Sequence, residues 1–250
     1  MAALQTDAVV VGGGLAGIVT ALELLRAGQR VILVDRDTPE RLGGLALWAF
    51  GGMALVGTPL QARMKIPDTP ERALADWLRF GELSPHDVWP QAWARDYAEH
   101  SRSRVYDWLT QEGVKFMPAV NWVERGLHGE GNSLPRYHVV WGTSRELTRR
   151  MIAALYRANA GGRLTLLNRH RVTQLEHDNR RISGVVAINE NSGEEVPLRA
   201  PVVVMAMGAG ALLGAVADTN ASLATVAYEM AVFINRINGT LNPRLINELK

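Results

Sequence analysis

The first part of the chain contains an order of segments that fits only a few folds. Ala8–Val11 is a short, wholly apolar run rich in β-branched residues, as expected of a strand buried on both faces. The glycine-rich stretch Gly12–Gly17 follows, and the residues Ala16–Arg26 have good helix propensity. A second strand-like run, Arg30–Val34, ends at Asp35. The order strand, glycine turn, helix and strand predicts a β-α-β unit with a dinucleotide-binding turn.

The glycines of this turn have separate physical tasks. Gly12 allows the tight turn after the strand, and Gly14 lets the backbone approach a pyrophosphate at the helix N-terminus. Gly17 lets the helix and the strand pack closely. Asp35, 21 residues after Gly14, is placed to accept hydrogen bonds from the hydroxyls of an adenosine ribose. The alternative is a glycine-rich turn without a ligand, beside an exposed aspartate.

The turn alone leaves the choice of dinucleotide open, because NAD, NADP and FAD all bind to turns of this kind. Arg36 has the charge to bind the 2′-phosphate of NADP, but the neighbouring Asp35 carboxylate opposes a second negative charge. The segment that follows discriminates better between the three cofactors.

A second glycine-rich segment lies a few residues beyond Asp35. Arg41-Leu42-Gly43-Gly44-Leu45 and Phe50-Gly51-Gly52 contain two glycine pairs, seven to nine positions apart. Bare backbone at such pairs suits the approach of an extended, flat group such as a flavin and its tail, whereas a simple NAD domain has no use for it. The segment therefore favours FAD, and the alternative is a buried glycine-rich loop without a ligand.

These segments resemble the FAD domain of the fumarate reductase and 3-ketosteroid dehydrogenase flavoproteins, and most closely the branch called FAD-binding dehydrogenases. The residues that carry the resemblance are Gly12–Gly17, Asp35, Arg41–Gly44, Phe50–Gly52, Ala75–Trp77, Trp89-Pro90 and Gly131–Thr143. The likeness covers roughly residues 5 to 205. Ala206-Met207-Gly208 departs from the Ala-Thr-Gly-Gly that the family usually has there.

The resemblance implies a Rossmann-like α/β fold of the glutathione-reductase type, with a central parallel sheet, helices on both faces and a small antiparallel β layer. An FAD-binding domain is expected over residues 1–217, with a mainly helical insertion at 63–142 and the antiparallel layer at 163–200. The strand-like run Arg163–Leu167 is expected in that layer. Residues 218–250 are expected to form a C-terminal helical tail.

The insertion is rich in tryptophan. Six of the seven tryptophans lie between Trp77 and Trp141. The apolar spacing predicts helices over Pro70–Leu78 and Gln91–Leu109. Large aromatic residues at helical spacing usually pack into a core, so we expect these rings to be buried.

The family also implies a reaction: hydride transfer between a substrate C–H bond and flavin N5, with loss of a proton from the neighbouring carbon. The substrates implied are small molecules, either steroid-like or dicarboxylates. Relatives carry a cap domain and a C-terminal segment over the flavin ring, and the stretch after Met205 is too short for them. The expected explanations are a fragment, a shortened variant, or one subunit whose site a second copy or a partner subunit completes. A non-catalytic module that binds FAD or its ADP half is the alternative function, and an NAD(P)-binding domain is a third hypothesis.

The predicted cofactor contacts are backbone groups of the two glycine segments, charged residues beside them, and three positions taken from the resemblance (Val172 near the adenine, Ala206 and Gly208). The full set is Gly12, Gly14, Leu15, Ala16, Gly17, Asp35, Arg36, Arg41, Gly43, Gly44, Leu45, Gly51, Gly52, Val172, Ala206 and Gly208.

Arg136 and His138 are the candidate catalytic residues. Two positions apart in an extended segment, they would face the same side. Hydride and proton transfer needs a cation to hold a carbonyl or carboxylate, and a proton carrier, and these residue types supply both. The alternative is a solvated arginine and a hydrogen-bonded histidine.

Composition excludes several other classes. The chain has 27 Lys and Arg against 25 Asp and Glu, which is not the charge profile of a nucleic-acid-binding protein. It contains no cysteine, so disulfides, thiol catalysis and thiolate metal sites are excluded, and its six histidines lack metal-ligand spacing. The long uncharged stretches are broken by glycines, so we expect no membrane span. A cytoplasmic protein is expected.

Overall fold

The computed structural model describes residues 2–122, 130–178 and 181–207. The predicted tail at 218–250 therefore lies outside the described residues. The strands are β1 (Leu4–Gln5), β2 (Ala8–Val11), β3 (Val31–Val34), β4 (Gly52–Ala54), β5 (Phe116–Asn121), β6 (Tyr137–Val140), β7 (Leu164–Leu167), β8 (His170–Asp178), β9 (Arg181–Asn189), β10 (Glu195–Arg199) and β11 (Val202–Met205). The α-helices are α1 (Leu15–Arg26), α2 (Pro59–Arg63), α3 (Pro70–Phe80), α4 (Val88–His100), α5 (Trp108–Gln111) and α6 (Thr143–Ala158). Short 3₁₀ helices lie at Pro39–Arg41, Gly44–Trp48 and Asn159–Gly161, and Ser101–Asp107 is π-helical.

The chain divides into two compact units. The first contains residues 1–45 together with residues from 151 onward, and the second contains residues 46–150. The predicted insertion at 63–142 falls inside the second unit.

A four-stranded parallel sheet forms the centre of the first unit, in the order β11-β2-β3-β7. Every residue of β2 and β3 is buried, as their unbroken apolar sequences predict. Helix α1 connects the two strands and packs against both, burying Ile18, Ala21, Leu22 and Leu25 at helical spacing. The β-α-β unit predicted from the sequence is confirmed.

A second sheet covers one face of the first. Its order is β1-β10-β9-β8, and β8, β9 and β10 pair in antiparallel fashion. The two sheets share one hydrophobic core, formed by Val9, Val11, Ile32, Val34, Leu175, Val185, Ala187, Leu198 and Ala200. The predicted small antiparallel layer is therefore present.

One strand differs from the prediction. Residues Leu164–Leu167, which we expected in the antiparallel layer, form β7 and pair in parallel with β3. The reason is that β7 follows helix α6, and a strand that returns to its sheet after a helical crossover runs parallel to the strand it joins.

The second unit combines helices α2–α5 with a three-stranded antiparallel sheet in the order β4-β6-β5. Helix α3 begins at Pro70, where the Thr69 hydroxyl accepts the backbone N–H of Arg72 at 3.3 Å. The predicted helices of this region are confirmed as α3 and as the stretch from α4 to α5, which includes the π-helical turn.

The tryptophans of this unit are more exposed than predicted. Trp77 is 42% exposed and Trp93 57%. Small residues explain the difference, because α3 and α4 bury Ala73, Ala94 and Ala98. Rings on the other faces of the helices are left in contact with solvent. Within the described parts of the chain, no helix is both long and apolar enough to cross a membrane.

Candidate functional site

The first glycine of the turn is required by the protein itself. Gly12 has a φ of 105°, a conformation that favours glycine, and its N–H donates to the Val34 carbonyl at 2.8 Å. A Cβ at this position would lie 2.6 Å from the carbonyl oxygen of Ala206. Ala206 in turn donates its N–H to the Val11 carbonyl at 2.7 Å. Gly12 therefore makes the tight turn between β2 and α1.

Gly14 is different, because the described residues leave space where its side chain would be. Its φ of −71° and ψ of 178° suit any residue, and a Cβ there would meet no heavy atom of the described residues within 4 Å. No side chain caps the N-terminus of α1, and no acidic residue lies in its first turn. The free N–H groups and the helix dipole favour an anion at this open corner. A pyrophosphate fits here in charge and in space.

Gly17 brings helix and turn into contact. A Cβ on Gly17 would lie 1.8 Å from the carbonyl oxygen of Gly12, far inside any allowed contact. The absent side chain therefore lets α1 start directly against the backbone of the turn. This is the close packing that the sequence predicts for the third glycine.

Asp35 organises the turn from the end of β3. One carboxylate oxygen accepts the Gly13 N–H, and the other accepts the Asp37 N–H at 2.7 Å. Each carboxylate oxygen has a further lone pair, so Asp35 retains acceptors for ribose hydroxyls. Its predicted contact with the ribose stays a prediction, and its bond to Gly13 adds a second task that the sequence did not reveal.

The two predicted cationic contacts pair with acids at the surface. Arg36 Nε lies 3.2 Å from Glu190 Oε1, and Arg41 Nη1 lies 3.5 Å from Asp37 Oδ2. Both arginine side chains are more than half exposed. Exposed ion pairs of this kind contribute little, about 0 to 1 kcal/mol, so a ligand can replace them.

The first glycine pair of the second segment, Gly43-Gly44, lies directly beside the turn. The Gly43 N–H donates to the Gly13 carbonyl at 2.7 Å, and Gly43 forms a parallel bridge with Gly14. Gly44 has a φ of 56°, and Leu45 after it is 88% exposed. The structure thus brings Gly43 beside Gly13 and Gly14, about thirty positions earlier in the sequence.

Gly51 and Gly52 are closed in by protein. Gly51 has a φ of 83°, and a Cβ there would lie 2.5 Å from the backbone nitrogen of Ser144. A Cβ on Gly52 would lie 1.9 Å from Cζ of Tyr137. Packing inside the second unit is therefore enough to require both glycines, and a contact with the cofactor remains a prediction for them.

The positions taken from the resemblance are only partly described. Val172 is half-buried in β8 and packs on the core between the two sheets. The β8–β9 register shifts between Val172 and Gln174. Ala206 lies at the end of β11 against Gly12, and Gly208 falls outside the described residues.

Arg136 is held in a buried ion-pair network. Its Nη2 lies 2.8 Å from Asp68 Oδ1, and its Nη1 lies 2.6 Å from Asp76 Oδ2. Burial opposes the charge, but the hydrogen bonds of both carboxylates outweigh it and raise the pKa of the guanidinium. Asn132 Oδ1 accepts a further hydrogen bond at 3.1 Å.

His138 is fully buried in β6, two positions after Arg136. Its Nδ1 lies 2.6 Å from the Arg136 carbonyl, which can only accept, so Nδ1 carries the proton. Its Nε2 then accepts from the Thr58 hydroxyl at 2.7 Å. Burial lowers the pKa of the imidazole. Both candidate catalytic groups are thus bonded within the protein.

Comparison with known proteins identifies the family. The sequence profile described as the FAD binding domain matches residues 7–242. The chain belongs to this family. FAD is therefore the cofactor of this domain, and the open corner at Gly14 fits the pyrophosphate of FAD.

Curated relatives of this FAD-binding domain are longer proteins. A KsdD-like steroid dehydrogenase of Mycobacterium tuberculosis is 39% identical over 186 residues, which is 73% of this chain and 32% of that protein. A fumarate reductase (cytochrome) of Shewanella frigidimarina is 34% identical over 108 residues, 43% of this chain and 18% of that protein. The chain spans about a third of the length of the first relative.

Solved structures include the same fold. The 3-ketosteroid-Δ4-(5α)-dehydrogenase of Rhodococcus jostii RHA1, in complex with 4-androstene-3,17-dione, matches with a TM-score of 0.69 and 26% identity. The match covers 82% of this chain and 46% of that chain. The fold is the α/β fold with a parallel and an antiparallel sheet that the sequence predicted.

The sequence did not reveal the polar network around Arg136 in this FAD-binding domain. Asp68 also accepts from Gln61 Nε2 at 3.0 Å, and the Gln61 side chain accepts the Thr58 N–H at 3.0 Å. Asp68 and Asp76 precede Arg136 by 68 and 60 positions. No local spacing marks partners so far apart, and only the fold brings them together.

Proposed function

We propose that this chain is the flavin-holding part of an oxidoreductase that transfers hydride between a substrate C–H bond and flavin N5. The observation that carries the proposal is the open corner at Gly14, where α1 begins without a cap or an acid. A helix end of this kind stabilises a pyrophosphate. The relatives named as a steroid dehydrogenase and a fumarate reductase support the redox chemistry.

The chain binds and orients the cofactor in this proposal. Gly14, Leu15 and Ala16 present backbone to the pyrophosphate, while Asp35 holds the turn through Gly13 before the ligand arrives. When bound, FAD supplies N5 as the atom that accepts or donates hydride. The remaining predicted contacts are Gly12, Gly17, Arg36, Arg41, Gly43, Gly44, Leu45, Gly51, Gly52, Val172, Ala206 and Gly208.

We further propose a small-molecule substrate, either steroid-like or a dicarboxylate. The names of the relatives support both classes, and one solved structure contains a steroid. Removal of hydride from one carbon and of a proton from its neighbour introduces a double bond next to a carbonyl, and the reverse reduces it. A second copy or a partner subunit completes the site, and the protein is cytoplasmic. Cell fractionation and light scattering test these last two points.

A nucleotide-binding module without turnover is the second candidate. The bonding of Arg136 and His138 favours it, because the guanidinium is taken up by Asp68 and Asp76 and the imidazole by Thr58 and a carbonyl. Proton transfer from either group would require these buried bonds to break. In this candidate the chain holds FAD, or only its ADP half, for a catalytic group supplied elsewhere.

The visible absorption spectrum of the purified chain is the first test. A flavin spectrum, with FAD released on denaturation, supports the flavin-holding proposal and removes the NAD(P) alternative. Bleaching of that spectrum by a steroid or a reduced dicarboxylate supports turnover. A chain that binds FAD but is bleached by neither class supports the non-catalytic candidate, and a chain that takes up ADP but stays colourless in FAD contradicts the flavin proposal.

A further inference from the structure

The second unit contains a cleft whose residues are not among the predicted FAD contacts. It is lined by Lys115, Trp141, Gly142, Arg145, Glu146, Arg149 and Arg150. Its volume is about 320 Å³. Sites for small molecules span roughly 300 to 1,000 Å³, so the cleft has the size for a small ligand.

The fold assembles this cleft at the junction of β6 and α6. The Trp141 N–H donates to the Lys115 carbonyl at 2.8 Å, which places the two residues side by side. Gly142 has a φ of 88°, and a Cβ there would lie 2.9 Å from Cβ of Glu146. Glycine is therefore needed for the sharp turn into α6. Arg145 and Arg149 then lie one turn apart on the same helix face.

The charge of the cleft is strongly positive. Four cations line it against one carboxylate, Glu146. Arg149 Nε lies 2.7 Å from Glu146 Oε2, and Arg150 Nε lies 2.7 Å from Oε1. Hydrogen bonds from Arg149 first, and then Arg150, lower the pKa of Glu146 to about 2 despite some desolvation. The carboxylate therefore stays ionised and paired with these two arginines. No carboxylate in the described residues pairs with Lys115 or Arg145.

A flat aromatic surface lies beside these cations. Trp141 is 60% exposed although it lines the cleft. An indole ring in this position offers a face on which another flat ring can stack. Arginine binds phosphate and carboxylate groups through paired hydrogen bonds. The cleft therefore combines a stacking surface with an excess of positive charge among the described residues.

We propose that this cleft binds a small organic anion that carries a flat ring, such as an aromatic phosphate or carboxylate. The ring stacks on Trp141, and the anion pairs with Arg145 and Lys115. This site is independent of the FAD contacts, since it shares no residue with them.

Isothermal titration calorimetry of the purified chain at low ionic strength tests the ligand class. Phenyl phosphate and benzoate provide ring and anion together, phenol provides the ring alone, and inorganic phosphate provides the charge alone. We expect at least one of the first two to bind at least about tenfold more tightly than phenol and inorganic phosphate. Failure of both phenyl phosphate and benzoate to bind overturns the proposal. Equally tight binding of inorganic phosphate overturns the role of Trp141.

Variants locate the binding. Arg145→Gln should lower the affinity about tenfold, because it removes a charged donor. Arg95→Gln, an exposed arginine of α4 outside the cleft, is the matched control and should leave the affinity unchanged. Equal effects of the two substitutions contradict the assignment.

Gly14→Val separates this site from the dinucleotide turn. Binding of phenyl phosphate or benzoate that survives Gly14→Val supports the cleft, whatever happens to FAD. Loss of that binding in Gly14→Val places the ligand in the turn and overturns the proposal. Trp141→Ala, with the circular dichroism of the native chain, should weaken binding as Arg145→Gln does.

Discussion

Glycines at two places in the molecule have opposite surroundings. In the turn after β2, a Cβ on Gly14 would have no atom within 4 Å in the part of the chain that the structure describes. In the segment before β4, Gly51 and Gly52 face the Ser144 backbone and the Tyr137 ring at 2.5 Å and 1.9 Å. The first place leaves room for a ligand, whereas the second is filled by the protein. A glycine in a sequence therefore indicates a close approach without saying what approaches.

The polar groups near the turn after β2 and near Gly51 and Gly52 also differ in whether they are paired. At the turn, the N-terminus of α1 has free N–H groups and no cap. Gly52 lies in β4, which pairs with β6. Strand β6 contains His138, whose two ring nitrogens are bonded to Thr58 and to a backbone carbonyl. Unpaired donors at the first place suit an anion, and paired groups at the second suit a stable core.

The largest expected effect is that of Gly17→Ala. The new Cβ would lie 1.8 Å from the Gly12 carbonyl, which belongs to backbone held in the turn. We expect a loss of at least about 3 kcal/mol in the free energy of unfolding, or a chain that does not fold. Urea unfolding followed by circular dichroism measures it, with Gly14→Ala as the matched control that should retain native stability. Native stability of Gly17→Ala would show that the turn is not packed as described.

Gly14→Val should separate ligand binding from folding. Because the backbone conformation suits valine and the space is empty, the free energy of unfolding should fall by no more than about 1 kcal/mol, the cost of a poorer cap. The affinity for FAD should fall at least about 100-fold, since the side chain occupies the place of the pyrophosphate. Titration with FAD, followed by flavin fluorescence, is the measurement. Unchanged affinity would remove the turn from the FAD site.

Gly52→Ala tests whether Tyr137 alone requires that glycine. The substitution should destabilise the protein by about 1 to 3 kcal/mol through overlap with the ring. In a Tyr137→Ala background the same substitution should cost at least about 1 kcal/mol less, as a double-mutant cycle in urea would reveal. Gly51→Ala is the control. Its new Cβ meets backbone and not Tyr137, so its cost in stability should be the same with and without Tyr137→Ala. Additive costs for Gly52 and Tyr137 would contradict the assignment.

The smallest effect concerns the pH dependence of stability through His138. Burial lowers the pKa of this imidazole from its ordinary 6.5, while the nearby Asp68 opposes the shift. Below pH 6.5 the unfolded chain takes up a proton that the folded chain does not, so the free energy of unfolding falls until the lower pKa of the folded state is passed. Urea unfolding from about pH 7.5 to about pH 5 measures this slope.

A histidine substitution isolates that contribution from the carboxylates. His138→Gln should flatten the part of the profile that His138 supplies, whereas His86→Gln, in an exposed loop, should leave the profile as in the native chain. The same slope in both variants would mean that His138 titrates as freely as a surface histidine.

Much of the first unit follows from local sequence, since β2, α1 and β3 each carry their pattern within a few residues. Ala8–Val11 and Val31–Val34 are apolar without interruption, and α1 buries residues at helical spacing. The sequence of β7 predicts a strand but does not show which strand it pairs with. Its predicted place in the antiparallel layer is therefore wrong. Its direction depends on α6, which precedes it in the chain.

The second unit shows where local pattern fails. The tryptophans were predicted to be core, but alanines form the buried face of α3 and α4, so the rings lie outside. Arg136 and His138 stay predicted catalytic residues, and the local pattern did not show that each is bonded to residues far along the chain. Helical spacing shows which residues share a face and cannot show which face is covered.

The sequence by itself determined the β-α-β unit, the glycine turn, the family and its cofactor, because these depend on residues close together in the chain. Only the tertiary structure decided which glycines have space beside them, what Asp35 holds, and which charges are paired. Those properties arise between residues distant in sequence, and their energies depend on distances that a sequence does not contain. Gly14 and Gly52 are the same residue type, but the described residues leave space beside Gly14 and fill the space beside Gly52 with the Tyr137 ring.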